Sequence, residues 1–312
     1  MLKKILEIFG IKNGVRFLYL KLKEVYMKIK FSKNNSKEKY IQKKFKESLG
    51  YEIDFEKEPT TFNQKIQFRK LYDNNPLYSV CADKYMVREY VKEKIGEEYL
   101  IPLYLVTEKL TEEQWDKLPN SFVAKANHNS GPVQIVKDKN KIKKKEIIKE
   151  LNNQLKLDYG ILSMEKYYSD ISRKIIVEKF LKDKEKTMLQ DIKIHCFSDG
   201  KKRRYFFDLC SRKSIEGEVK STIYDEKWNN LKITNAILDE NEYKKPRNFE
   251  EILKVAQKLS EDFDYIRVDL YNIDGKIYVG ELTFCESSGF GKFTDEKWDY
   301  KFGSYWKQRK LK

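Results

Sequence analysis

Residues 264–284 read DYIRVDLYNIDGKIYVGELTF, which predicts two strands joined by a turn, with acids at Asp269 and Glu281 and a base at Arg267. Strand side chains alternate between faces. Arg267, Asp269 and Tyr271 therefore share one face of the first strand, and Val279, Glu281 and Thr283 one face of the second. Whether the two acids meet depends on the turn. A two-residue loop, Asp274-Gly275, pairs Ile273 with Lys276, sets Asp269 opposite Gly280 and turns Glu281 away. A three-residue loop, Ile273-Asp274-Gly275 with Gly275 at positive φ, is one that glycine suits. It sets Arg267 opposite Glu281 and leaves Asp269 and Glu281 diagonal neighbours, roughly 7–8 Å apart. Two carboxylates so placed suit a hard divalent cation: Mg²⁺ takes oxygen ligands, usually one or two carboxylates plus substrate phosphates. The competing reading is an ordinary hairpin with surface acids.

The chain has 312 residues, 40% of them hydrophobic and 14% aromatic, enough for a real core and for two domains or one large α/β unit. The net charge is +15, from 64 Lys+Arg against 49 Asp+Glu. Such an excess favours anionic partners. Lysine is spread along the whole chain, however, which argues for solvated faces and against a dedicated nucleic-acid surface. Cys81, Cys196, Cys210 and Cys285 are far apart and form no Cys-x-x-Cys pair, so zinc-ribbon spacing is absent and reduced, buried thiols in a cytosolic chain are expected. No apolar run is long enough to span a membrane. The start, MLKKILEIFG, is too short and too charged in its apolar part for a secretory signal.

Residues 1–50 are basic and predicted helical. Leu2, Ile5, Leu6 and Phe9 recur at helical spacing, and Val15, Leu18, Leu20, Leu22, Val25 and Tyr26 continue less regularly. This segment is a candidate for peripheral contact with an anionic membrane surface, although packing on the body of the protein is the preferred expectation. A break is expected at 34–37. Helices are expected at 62–72 and 83–95, the second starting at Asp83, then a loop at 116–120. Strands 122–126 and 132–136 flank the Gly-containing tip 127–131. A charged helix at 142–157 follows, then an apolar strand at 175–181. A strand pair, 191–197 and 204–209, surrounds Asp199-Gly200, and a helix at 249–263 precedes the acidic hairpin. Strands in hairpins mixed with helices predict α+β or mixed α/β architecture, not a doubly wound parallel sheet.

Lys125 lies on FVAKAN just before NHNSG. A lysine feeding a small loop can meet a polyphosphate, with loop N–H groups cradling it. Neither G-x-x-x-x-G-K-[ST] nor G-x-G-x-x-G occurs, so a P-loop and a dinucleotide fold lack support. Glu178, in KIIVEKFL, suits recognition of an adenine edge. Asp191, which starts the next strand, suits ribose hydroxyls, and Lys193 and Arg212 suit anionic groups. Each residue is weak alone.

In order, DKYMVREYV, LPNSFVAKANHNSG, IIVEKF, DIKIHCFSDG and RVDLYNIDGKIYVGELTF form a series that resembles the TupA-like ATP-grasp enzymes of cell-surface polysaccharide and teichuronopeptide pathways. The run TFNQKIQFRKLYDNNPLY before Asp83 is similar too, and the resemblance spans roughly 62–303. It implies an α+β ATP-grasp fold, with two subdomains whose antiparallel sheets clasp ATP. A basic N-terminal extension at 1–60 would precede a catalytic region at 61–312, its small subdomain near 120–180 and its C-terminal subdomain near 181–303. The resemblance further implies that Lys125 contacts ATP phosphates, with the loop 127–131, including Ser130 and Gly131, closing over them. Glu178 and the backbone near Phe180 would meet adenine, and Asp191 the ribose. Asp269 and Glu281 would ligate magnesium, with Thr283 standing where most ATP-grasp enzymes have Asn. Arg267 would stabilise the transferring phosphoryl group or the tetrahedral intermediate, and Lys84 and Arg88 would be a basic pair of the first subdomain.

The implied activity is ATP- and Mg²⁺-dependent ligation of a carboxylate to an amine through an acyl phosphate, in a cytoplasmic protein with a small-molecule or polysaccharide-precursor carboxylate and an amine as substrates. A uronic-acid carboxyl group in capsule or polysaccharide biosynthesis is the expected target. The alternative is a glycosyltransferase-type enzyme of the same pathways, which would need a sugar-nucleotide site, typically with an Asp-x-Asp cation motif.

Overall fold

The computed structural model describes residues 13–32, 36–183, 190–211 and 218–309. In chain order its principal helices are α1 (Asn13–Lys30), α2 (Ser36–Leu49), α3 (Phe62–Tyr72), α4 (Leu77–Ala82), α5 (Val87–Ile95), α6 (Glu112–Lys117), α7 (Lys144–Gln154), α8 (Tyr159–Ser163), α9 (Phe249–Ser260) and α10 (Lys297–Ser304). Its strands are β1 (Leu103–Thr107), β2 (Phe122–Ala126), β3 (Gln134–Val136), β4 (Ile175–Lys179), β5 (Asp191–Ser198), β6 (Arg203–Ser211), β7 (Lys220–Tyr224), β8 (Ile237–Leu238), β9 (Tyr265–Ile273) and β10 (Lys276–Thr283). They make a four-stranded sheet, β1-β4-β2-β3, and a six-stranded sheet, β10-β9-β5-β6-β7-β8. Every pairing is antiparallel except the short β7–β8 contact. The architecture is α+β, as expected, with two compact units: residues 1–37, 83–85 and 102–180 in the first, and residues 38–82, 86–101 and 181–312 in the second.

In the first unit, β2 alternates strictly. Phe122 and Ala124 are buried with Ile175 and Val177 of β4 against Trp115, Leu118, Ile148 and Leu151 from α6, α7 and the loop after α6. Burying side chains of this size contributes about 1.5–3 kcal/mol each. The opposite face of the same strands carries Lys125 and Glu178.

In the second unit, α9 buries Phe249, Ile252, Val255, Ala256 and Leu259 at helical spacing. It covers the apolar face of the six-stranded sheet, where the Phe207 and Phe249 rings pack at a tilt with centroids 4.9 Å apart and Cys196 lies against the Ala256 carbonyl. The other face is divided. At one end, His195, Phe197 and Tyr265 pack with Phe62 of α3 and Phe302 of α10. Beyond that aromatic layer the same face becomes charged.

Several expectations change in detail. Helix α5 begins at Val87, not at Asp83: the Asp83 carboxylate caps a turn by accepting from the Tyr85 N–H and holds Asn127, so no helix starts there. Residues 116–117 complete α6 rather than beginning a loop, because a Thr111–Gln114 capping box nucleates that helix. Strand β1 has no counterpart in the expectations. The spacing noted at Leu2–Phe9 lies outside the described residues. All four cysteines are buried and free, and burial pushes the Cys81 and Cys210 thiols up to about 12. Among the described residues, no helix is long and apolar enough to cross a membrane.

Candidate active site

The hairpin β9–β10 settles the turn, and neither expected register is the observed one. The loop has two residues, Asp274 and Gly275, both at positive φ (51° and 80°), and Ile273 pairs with Lys276. This is the left-handed turn that the Asp-Gly dipeptide favours, so the three-residue loop is overturned. The register then shifts between Val279 and Glu281. A bulge at Gly280 absorbs one residue and sets Glu281 directly opposite Asp269 and Thr283 opposite Arg267. The two acids share a face by way of the bulge and not of the turn. Gly280 fits because a Cβ there would lie 3.2 Å from the Tyr271 ring and 3.3 Å from the Asp269 carbonyl oxygen.

Arg267 is the hub of this face. Its Nε and Nη2 donate to the two Asp269 oxygens at 2.6 Å each, and Nη2 also donates to Thr283 Oγ1 at 3.1 Å. The Thr283 hydroxyl donates on to Glu281 Oε1 at 2.9 Å, which lies 4.0 Å from the guanidinium. On its third side Arg267 meets Glu286. Glu286 follows the strand in a turn whose Ser287 and Ser288 have φ of 46° and 52°, and it also accepts from Asn235 and Ser287. One guanidinium therefore faces three carboxylates. Burial opposes its charge, but Asp269 and Glu281 hold it protonated, above the ordinary arginine value. Burial raises the Asp269 carboxyl while Arg267 draws it down, and the bidentate geometry is that of an ionised pair.

Across the sheet, Lys193 of β5 is opposite Asp269 on one side and Asp208 of β6 on the other. Burial and Arg267 push its ammonium down, and Cys210, Asp269 and Asp208 outweigh them, so its pKa is raised. Burial likewise raises Asp208, against Lys193, and Asp208 Oδ1 has no hydrogen-bond partner among the described residues. Asp191 opens β5 opposite Tyr271 and Cys210, one alternation along the same face. The second unit thus brings together Asp191, Lys193, Arg267, Asp269, Glu281 and Thr283. Arg212 lies outside the described residues.

The first unit carries a different arrangement. Lys125 Nζ and Glu178 Oε2 are 2.7 Å apart, with side chains only 13% and 8% exposed. A lysine assigned to phosphates and a glutamate assigned to adenine are thus one ion pair, and Phe180 follows directly after β4. The tip 127–131 is not a free flap. Asn127 bridges Asp83, the Ser172 carbonyl and the Lys174 N–H. His128 is fully buried on the Leu157 carbonyl, and Asn129 donates to Gln154. Lys84 donates to the Asn129 carbonyl at 2.7 Å, bracing the tip. Ser130 is exposed and Gly131 half-buried, with the Gly131 N–H on Asn129 Oδ1 at 3.1 Å. Arg88, in the second unit, donates to the Ile101 carbonyl.

Sequence reasoning missed Asp208 and Glu286. An acid inside the apolar run FFDLC was the available signal for Asp208. Glu286 had none, because its position depends on the turn after β10. The chain also contains an Asp-x-Asp tripeptide, Asp262-Phe263-Asp264. Asp262 accepts from Lys94 at 2.8 Å and Tyr90 at 3.1 Å. Asp264 pairs with Arg69 and accepts the Tyr265 and Arg309 N–H groups. Both carboxylates are committed to structural pairs, which removes the support a glycosyltransferase reading would draw from them.

Among the described residues, no three His, Cys, Asp or Glu side chains form a metal cage. Asp269 and Glu281, with the Thr283 hydroxyl, nevertheless fit Mg²⁺, which commonly takes one or two carboxylates and completes its shell with phosphate and water.

A family model described as TupA-like ATPgrasp matches residues 64–307. No curated protein matches the chain. Among solved structures, D-alanine-D-alanine ligase from Helicobacter pylori is 17% identical, covering 78% of this chain and 68% of its own, with a TM-score of 0.42. The Bacillus anthracis D-alanine–D-alanine ligase complexed with ATP is 19% identical over 65% and 53%, with a TM-score of 0.35. N5-carboxyaminoimidazole ribonucleotide synthetase from Thermus thermophilus is 9% identical over 74% and 52%, with a TM-score of 0.42.

Proposed function

The chain belongs to the TupA-like ATP-grasp family, and we propose that it is an ATP- and Mg²⁺-dependent carboxylate–amine ligase, joining an amine or amino acid to a uronic-acid or similar carboxyl group of a cell-surface polysaccharide precursor in the cytoplasm. The observation that carries this reading is the gathering of Asp269, Glu281 and Thr283 around Arg267 on one face of the sheet.

A carboxylate is a poor electrophile because its leaving group would be oxide. In the proposed reaction the substrate carboxylate oxygen bonds to the γ-phosphorus of ATP while the bond to the ADP oxygen breaks. The amine nitrogen then bonds to the acyl carbon, phosphate leaves, and the nitrogen loses a proton. Asp269 and Glu281 are assigned to hold Mg²⁺, which when bound neutralises charge on the phosphates.

The other roles belong to the chain's own groups. Arg267, fixed in orientation by Asp269, Thr283 and Glu286, keeps one Nη1 hydrogen for a phosphoryl oxygen and contributes mainly its fixed charge. Lys193, kept protonated in the same row, adds a second fixed cation, and Arg212 is assigned as a third. Asp191 accepts from ribose hydroxyls. Lys125 and Glu178 act as one donor–acceptor unit toward the base and its first phosphate, beside the Phe180 backbone. Ser130 and Gly131, on a tip braced by Lys84, cover the phosphates. Phosphoryl transfer depends mainly on positioning and charge neutralisation, which such preorganised groups supply.

The test is product analysis with candidate carboxylate and amine pairs. Release of ADP and phosphate, dependent on both substrates, is the expected result. Release of AMP and pyrophosphate means adenylation instead and overturns the mechanism.

A further inference from the structure

Helix α1 (Asn13–Lys30) carries an apolar stripe on its outer side. Val15, Leu18, Leu22, Val25 and Ile29 recur at alternating steps of three and four residues, which keeps them on one face of a helix. Leu18, Leu22 and Ile29 are 57%, 62% and 68% exposed, and Tyr19 and Tyr26 on the same face are also exposed. Isolated exposed leucines need no explanation. An unbroken stripe along a helix does.

The helix also has an inner side, and it is engaged. Glu24 and Met27 are each 2% exposed. Glu24 accepts from the Asp158 N–H at 3.1 Å and pairs with Lys21 and Lys28, while Lys21 reaches the Lys156 carbonyl. The outer stripe is therefore not an inner face left out of place.

The charges around the stripe select its partner. Arg16, Lys23 and Lys30 flank it on one side and Lys21 and Lys28 on the other. The only acid of the helix, Glu24, is turned inward and buried. A second copy of this helix would offer the Arg16, Lys23 and Lys30 flank no acid of the helix to pair with, because Glu24 is turned inward onto Lys21 and Lys28, whereas specific helix pairing uses complementary flanking charges. A plane of apolar chains under anionic headgroups matches every feature at once. The aliphatic stripe enters the acyl boundary, the tyrosines sit at the interface, and the lysine stems lie along the apolar surface with their ammoniums in the headgroup layer.

We propose that α1 docks the enzyme on an anionic lipid bilayer, lying in the plane of the interface. This inference does not depend on the ligase reading, and its test involves no nucleotide. The full chain is sedimented with vesicles of phosphatidylcholine alone or of phosphatidylcholine with phosphatidylglycerol, at low and high salt, alongside Leu22→Asp and Lys23→Gln. Leu22 is exposed and Lys23 lies half-buried on the flank of the stripe, and thermal unfolding midpoints of both variants should match the parent. The expected result is binding to anionic vesicles only, weakened by salt. Leu22→Asp should reduce it at least about ten-fold and Lys23→Gln about five-fold. Equal binding to both vesicle types overturns the charge-selective docking, and so does an absence of binding to either. A dimer in sedimentation velocity that Leu22→Asp dissociates assigns the stripe to a second copy and also overturns the proposal.

Discussion

Two sheet faces in this protein each hold buried charge, and they balance it differently. On the four-stranded sheet, Lys125 meets Glu178 one to one at 2.7 Å. On the six-stranded sheet, Arg267 faces Asp269, Glu281 and Glu286, with Lys193 of β5 across from Asp269. The first face is locally neutral and can recognise a neutral, hydrogen-bonding group such as a nucleobase edge. The second crowds three carboxylates around one guanidinium, and carboxylates so close together favour a further shared cation. Under the proposed function, metal and phosphoryl chemistry would fall to the six-stranded sheet and base recognition to the four-stranded one.

The sharpest way to break this contrast is to remove the cation from each face. Arg267→Met strands three acids and should cost about 3–5 kcal/mol in urea unfolding, whereas Lys125→Met strands one acid, Glu178 on the interior strand β4, and should cost about 2–3 kcal/mol. Equal costs would erase the distinction. Removing an acid should then separate the faces by sign. Glu281→Gln should lower turnover about 10²–10³-fold without loss of stability, because it relieves crowding around one guanidinium. Glu178→Gln should destabilise, because it leaves Lys125 without its counter-charge.

A pH titration sharpens the contrast in the first unit. Burial lowers His128 to about 4, against an ordinary 6.5. Its contribution to stability is therefore fully present above pH 6.5 and is lost as the pH falls toward 4, because the unfolded chain binds the proton first. The loss totals about 3 kcal/mol over that range. His128→Gln should flatten this part of the stability–pH profile, and an unchanged slope would remove the assignment. The smallest effect concerns the bulge. Gly280→Ala must displace the Tyr271 ring by a few tenths of an ångström and should cost about 1 kcal/mol, with a measurable weakening of Mg²⁺-dependent nucleotide binding.

The Asp-Gly turn was legible in the sequence because few dipeptides tolerate two successive left-handed residues. The register beyond it was not. A glycine inside a strand is a recognised bulge signal, and reading Gly280 that way would have set Glu281 opposite Asp269 without the longer loop. Lys125, Glu178 and Lys193 were legible as charged residues interrupting apolar strands. That Lys125 and Glu178 touch was not, because strand pairing between segments some fifty residues apart is set by the tertiary fold. Asp208 carried the same signal as Lys193 and was passed over. Glu286 could be found only from coordinates, since its reach to Arg267 depends on two left-handed serines after β10. The Gly-containing tip 127–131 reads in sequence as a small loop able to close over phosphates, and the burial and bonding of Asn127 and His128 at its base are set by the tertiary fold.

The most direct measurement is calorimetric titration of ATP into the parent protein and into Glu281→Gln, each with and without Mg²⁺. The account predicts that Mg²⁺ tightens ATP binding in the parent and has little effect in the variant, while both retain the same far-ultraviolet circular dichroism. ATP affinity that is indifferent to Mg²⁺ in the parent, or a Mg²⁺ effect that survives intact in Glu281→Gln, would contradict it.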